Sequence, residues 1–177
     1  MVSFDVVSLF AAIPVEKACN YIRKKLEDDY SLHSRSNLDV DDIICLLDFV
    51  LSNNYFIYND DIYKQIHGCA MGSPVSPVIA NLCMEEIKET AIDSTPVPPK
   101  IWKRYVDDRF CVIKKNAVTS FHDSLNSIDP HISFTIEHES NGQLPFLDTL
   151  ISRDNERLNI DVYRKPTHTD RYLDFPA

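Results

Sequence analysis

The sequence is poor in positive charge. Lys and Arg number 18 against 27 Asp and Glu, a net charge of −9. That balance argues against an autonomous nucleic-acid binder, because such domains are usually basic. No apolar run approaches ~18 residues, so no membrane-spanning helix is expected. No signal peptide is read either. The five cysteines, Cys19, Cys45, Cys69, Cys83 and Cys111, are odd in number and widely spaced. None forms a Cys-x-x-Cys pair, and the six histidines form no close ligand pair, so neither a zinc site nor a disulfide framework is indicated. Most of the cysteines read as buried small hydrophobes in a reducing compartment, which points to an intracellular protein, nuclear or cytoplasmic. Internal repeats and low-complexity tracts are also lacking. What remains is ordinary for one domain: 177 residues with 44% hydrophobic content, enough for a core.

Within that domain one stretch concentrates acid at a turn. Ile101-Trp102-Lys103-Arg104 leads into Tyr105-Val106-Asp107-Asp108, and Arg109-Phe110-Cys111-Val112-Ile113 leads out. Both flanks carry the β-branched and aromatic residues of strands, so a hairpin with two carboxylates at its tip is expected. Aspartate also favours tight turns for conformational reasons alone.

A third carboxylate adds weight. Phe4-Asp5-Val6-Val7 is an apolar run interrupted by one acid. A buried acid costs free energy unless it is paired or binds a cation. Two divalent cations about 4 Å apart need carboxylates converging from different elements, and such a pair clamps the oxygens of a phosphoryl transfer. Asp5, Asp107 and Asp108 suit that role if their strands lie side by side.

Three stretches in order carry a resemblance. Phe4-Asp5-Val6-Val7-Ser8-Leu9-Phe10, then Met71-Gly72-Ser73-Pro74-Val75-Ser76-Pro77, then Tyr105-Val106-Asp107-Asp108 resemble the central palm motifs of reverse transcriptases. Leu144-Pro145-Phe146-Leu147-Asp148 and Tyr163-Arg164-Lys165-Pro166-Thr167-His168-Thr169-Asp170 narrow it. Together they resemble the reverse transcriptase of Penelope-like retroelements, a group similar to telomerase. The resemblance covers nearly the whole chain.

It implies an RNA-directed DNA polymerase: nucleotidyl transfer from a deoxynucleoside triphosphate to a primer 3′-hydroxyl on an RNA template. The implied cofactor is a pair of Mg²⁺ ions, with Mn²⁺ as substitute, on Asp5, Asp107, Asp108 and the Val6 carbonyl. Carboxylate oxygen plus substrate phosphate is the coordination that magnesium prefers. The amides of Ser8 and Leu9 are implied to face the triphosphate. Phe10 takes the position that excludes a ribose 2′-hydroxyl, although a core phenylalanine at a strand end fits the sequence as well. Met71 and Gly72 are implied at the nucleotide, where small residues let the backbone approach a base pair. Met71 replaces the glutamine that many reverse transcriptases carry, a departure that fits the Penelope-like subgroup. Ser73, Pro74 and Tyr105 are implied at primer and template, as are Arg164, Lys165 and His168, in a primer-grip region of residues 158–173. Such contacts position a backbone without reading sequence.

Along the chain, residues 2–7 read as a strand. Pro14 opens a helix whose apolar positions are Val15, Ala18, Ile22 and Leu26. Residues 31–37 read as a polar loop. Asp39 is placed to cap a second helix with Val40, Ile43, Ile44, Leu47 and Val50 on its apolar face. Residues 55–66 read as a hairpin around Asn59-Asp60-Asp61. Ser76 is read as an N-cap, with a helix to about Thr90. Asn116 is read as the cap of a helix burying Val118, Phe121, Leu125 and Ile128. Strands are expected over residues 132–137, 144–151 and 158–163, with a turn at Asn141-Gly142. This order matches a split β-α-β, an α+β fold whose antiparallel sheet has helices on one face. It resembles a polymerase palm in a reverse transcriptase domain of residues 1–177, with residues 31–74 a partial fingers insertion.

Lys100, Lys103, Arg104, Arg109, Lys114 and Lys115 surround the hairpin, and Arg164, Lys165 and Arg171 lie near the end. Singly they read as solvated surface; together they are a candidate phosphate track. Only four residues precede Asp5 and the chain ends at Ala177, so a palm fragment without thumb or endonuclease domain is read, expected to extend primers little by itself. Two rivals stand beside this: a non-catalytic remnant that folds and binds nucleic acid or a partner, and a two-metal phosphodiesterase. The latter leaves the last two motifs unexplained.

Overall fold

A computed structural model describes residues 1–154 and 157–165. Strand β1 (Val2–Val6) alternates, with Val2, Phe4 and Val6 buried and Asp5 exposed. Hairpin strands β4 (Ile101–Tyr105) and β5 (Asp108–Val112) pair antiparallel. With β6 (Phe134–His138) they form one antiparallel sheet in the order β4-β5-β1-β6. β1 thus lies between β5, the second strand of a hairpin that follows one helix, and β6, which follows another, the expected split β-α-β layout.

The crossovers are helical and cover one face. Helix α5 (Ser76–Ser94) buries Ile79, Ala80, Cys83, Met84, Ile87 and Ala91, and α6 (Val118–Ile128) buries Val118, Phe121 and Leu125. Against them Phe4 sits in an aromatic group: its ring centroid lies 6.1 Å from Phe121 and 6.2 Å from Trp102. Burying a side chain of this size stabilises by roughly 1.5–3 kcal/mol.

The helices lie on one face, as expected, and the opposite face carries a second sheet. Strands β7 (Gln143–Phe146), β8 (Thr149–Asp154) and β9 (Arg157–Val162) form a separate antiparallel sheet. Leu144 and Ile151 pack there on Phe110. The single strand expected over residues 144–151 is in fact two strands, broken where Leu147 turns at φ 55°. Asp148 in the same turn is a turn-favouring residue, and the Thr149 hydroxyl donates to the Phe146 carbonyl at 2.7 Å.

Before α5 come α1 (Leu9–Ala12), α2 (Val15–Glu27), α3 (Leu32–Arg35) and α4 (Val40–Ser52). The one-turn helices α1 and α3 were not expected; α3 replaces the polar loop because Leu32 is buried. Asp39 caps α4 as expected, accepting from the Asp42 amide at 2.8 Å, and the Asp42 side chain accepts back from the Asp39 amide. Of its expected apolar face, Ile44 and Leu47 pack on the core while Val50 is exposed, as are Leu46 and Phe49 at other positions of the helix. Hairpin β2 (Tyr55–Tyr58) and β3 (Asp61–Lys64) follows, turning through Asn59 and Asp60, both at positive φ, and exposed on both faces.

Two caps differ from expectation. Val75 occupies the N-cap of α5, and the fully buried Ser76 hydroxyl instead donates to the Ala70 carbonyl at 2.6 Å. Asn116 lies in a 3₁₀ turn, Lys115–Ala117, and makes no side-chain cap of α6.

Candidate active site

Register decides which side chains share a face. In an antiparallel pair, directly opposed residues point the same way. Asp5 is paired with Asp108 on β5 and with Thr135 on β6, and Tyr105 is paired with Asp108. Asp5, Asp108, Tyr105 and Thr135 therefore project from the face away from the helices. Asp107 occupies the turn beside them, and its carbonyl accepts from the Val6 amide at 3.2 Å. The tip is strained: Val106, a β-branched residue, sits at φ 50°, a conformation costing of order 1–3 kcal/mol.

Over this face opens a cleft of about 460 Å³ bordered by Asp5, Asp108, Thr135, Glu137, Asp148 and Lys165. The β7–β8 turn forms its far wall, and the Tyr163 amide donates to the Asp148 carbonyl at 2.8 Å. Glu137 and Asp148 were assigned no role from sequence. The strand alternation of residues 132–137 could have placed Glu137 on the face of Asp5; Asp148 lay within a motif already noted. Burial first, then the charges of Asp107 and Asp5, push the Asp108 carboxyl above its ordinary range, and Lys165 opposes this.

The donor set is hard oxygen, which suits Mg²⁺ or Mn²⁺, and the mutual field of the three carboxylates is one that a cation relieves. Among the described residues, no three Asp, Glu, His or Cys side chains stand close enough to hold an ion as they are placed. Asp5 and Asp108 share a face and a cleft, with Asp107 at the adjoining turn.

The other sequence candidates divide. Ser8 is left-handed at φ 51° and begins α1, so its amide and that of Leu9 lie in the first turn after Asp5; the Leu9 side chain is buried. Phe10 is half-buried against the core, and its carbonyl accepts from the Cys69 amide at 2.7 Å. That bond ties the Asp5 segment to the glycine-serine-proline segment. The close backbone approach is at Gly68: at φ +73°, an added Cβ would lie 2.5 Å from the Ala11 Cα. Around Gly72 there is nothing within 4 Å, so no neighbour within the described chain demands glycine there. Met71 and Pro74 are exposed and Ser73 is half-buried. Arg164 is exposed, as is Lys165 at the cleft; His168, like the end of the primer-grip region, falls outside the described residues.

The cation cluster is corrected in two places. Arg109 does not face solvent: it is 1% exposed and points into the helix face. Arg104 is held by Glu85 of α5 at 3.1 Å. Neither belongs to a free phosphate track.

No family model matches the sequence, and no curated protein gives a significant match. Six solved chains are similar in structure. Among them is apo telomerase from Candida tropicalis truncated from its C-terminal domain, with a TM-score of 0.65 at 15% identity over 91% of this chain. The chain spans 35% of the length of that telomerase chain. The fold is thus similar to that part of the telomerase chain. Among the described residues no helix is long and apolar enough to cross a membrane.

Proposed function

We propose that this chain is the palm of an RNA-directed DNA polymerase of a Penelope-like retroelement, joining deoxynucleoside triphosphates to a primer 3′-hydroxyl on an RNA template. The observation that carries the reading is the pairing of Asp5 with Asp108 beside Asp107, on the open face of a reverse-transcriptase-like sheet. Asp5, Asp107, Asp108 and the Val6 carbonyl would hold Mg²⁺, or Mn²⁺ in its place. Bound there, the metal would supply Lewis-acid stabilisation of phosphate charge. The chain's own groups position the reactants, and positioning with electrostatic stabilisation is what such transfers chiefly require. Lys165 offers a cation across the cleft from the acids, suited to a primer phosphate, with Arg164 and His168 assigned beside it. Tyr105 stands on the cleft face at the tip. Phe10 limits the sugar to deoxyribose, and the exposed Met71, Gly72 and Pro74, with the half-buried Ser73, form a strip for the nucleotide and template.

A second reading, a folded non-catalytic remnant, draws on the separation of the carboxylates in the described structure. Primer extension on a primed RNA template with deoxynucleotides and Mg²⁺ separates the two. Extension that disappears in Asp107→Asn supports the polymerase. Mn²⁺ bound at the tip without any Asp107-dependent extension, even at high protein concentration, favours the remnant.

A further inference from the structure

Beneath the acidic tip lies a charge that the catalytic reading does not use. Arg109 follows Asp108 directly, but β-alternation turns it to the other face, opposite Phe4. It is 1% exposed, among the most deeply buried side chains of the described chain. Its guanidinium lies 4.9 Å from the centroid of the Phe134 ring and donates to the sulfur of Met84 and to the carbonyl of Asp107. Among the described residues no carboxylate forms a salt bridge with it. Burying a cation without a paired anion is costly, and an unbranched apolar side chain would fill the same space beside Met84 at less cost. Core packing therefore does not account for an arginine here.

The tip does account for it. The Asp107 carbonyl accepts from two sides, from the Val6 amide of β1 and from Arg109. That carbonyl follows Val106, whose left-handed backbone is strained, and strain of this kind persists only where neighbours over-determine it. Charge-assisted hydrogen bonds are the strong ones. The guanidinium also lies within the field of all three carboxylates without touching them. It remains charged at neutral pH, although burial pulls it down to about 10.

We propose that Arg109 is a positioning residue: a buried counter-charge that locks the Asp107 carbonyl, and with it the strained tip, in the metal-receiving geometry before any cation arrives. This rests on the metal-site reading above. Field and positioning then predict opposite effects of its removal. If only its field mattered, losing a positive charge would tighten divalent-cation binding. If it positions the tip, binding weakens because the metal must first order the backbone.

The test uses the 177-residue chain, Arg109→Met and Arg109→Lys. Amide hydrogen exchange is followed by NMR, and Mn²⁺ binding by electron paramagnetic resonance. In Arg109→Met, protection of the Val6 amide falls roughly tenfold or more while amides of α5 and α6 keep theirs. Mn²⁺ binds roughly tenfold more weakly, equivalent to about 1.4 kcal/mol. Arg109→Lys, which keeps the charge and a donor, recovers most of both. If the Met variant does not fold, Arg109→Gln, uncharged and shorter, is read by the same criteria. Unchanged Val6 protection in the uncharged variant overturns the proposal, as does equal or tighter Mn²⁺ binding. If the wild-type chain binds no Mn²⁺, the metal-site reading fails, and the exchange measurement alone decides the role of Arg109.

Discussion

Asp5 and Asp108 are direct partners across β1 and β5, so two carboxylates stand opposed on one face of the sheet with Asp107 at the adjoining turn. Like charges directly opposed on a sheet are destabilising. Burial and the neighbouring acids also raise the Asp108 carboxyl above its ordinary range. The arrangement opposes folding, and the cation proposed for this site would relieve it.

Removing one charge should therefore stabilise the metal-free protein. In Asp108→Asn, thermal unfolding in a chelator is expected at a temperature about 2–4 °C higher, equivalent to about 1 kcal/mol. An unchanged or lower midpoint would show that the carboxylates do not strain the fold.

The two glycines near the serine-proline segment should behave oppositely. Gly68→Ala places a Cβ 2.5 Å from the Ala11 backbone at a positive φ, and a loss of about 1–3 kcal/mol is expected in denaturant unfolding. Gly72→Ala meets nothing within 4 Å, so its stability should match the wild type while primer extension falls. Equal destabilisation by both would remove Gly72 from the proposed nucleotide surface.

Phe10 is half-buried beside the acidic strand and lies in the helix that follows it. In a primer-extension assay Phe10→Ala should raise the ratio of ribonucleotide to deoxynucleotide incorporated. An unchanged ratio with lowered stability would make Phe10 a core residue only.

Asp129 should set an acid limb of the stability curve. Burial favours its neutral form, but the hydrogen bond from Lys17 at 2.7 Å and those from the His131 amide and ring outweigh this and lower its pKa. The stability it contributes is complete above the ordinary carboxylate range and is lost as pH falls through the lowered value. Lys17→Met should cost about 1–3 kcal/mol at pH 7 and shrink that acid limb. Equal pH profiles for the two proteins in urea unfolding would refute it.

Local chemistry made much of this structure legible in the sequence. Asp39 announced a helix start, Asn59-Asp60 and Asn141-Gly142 announced turns, and the spacing of Val118, Phe121 and Leu125 announced a buried helical face. The split order of strands and helices followed, and with it the neighbourhood of Asp5 and the hairpin. Features fixed by distant contacts were not legible. Leu147 takes a left-handed backbone that leucine does not announce, between two strands that pack on Phe110. Ser76 gives its hydroxyl to Ala70 because helix α5 begins buried. In the sequence Arg109 reads as surface, because its burial depends on the register that sets it opposite Phe4. At the site, sequence supplied the three acids, whereas Glu137 and Asp148 joined them only through the sheet and the β7–β8 turn.

Asp5, Asp107 and Asp108 are proposed to form one divalent-cation site. Titration of the chain with Mn²⁺, followed by electron paramagnetic resonance and competed with Mg²⁺, tests it most directly. Bound Mn²⁺ that Mg²⁺ displaces, and that is lost in Asp5→Asn and Asp107→Asn alike, is the predicted result. Binding that is absent, or that survives both substitutions, would contradict it.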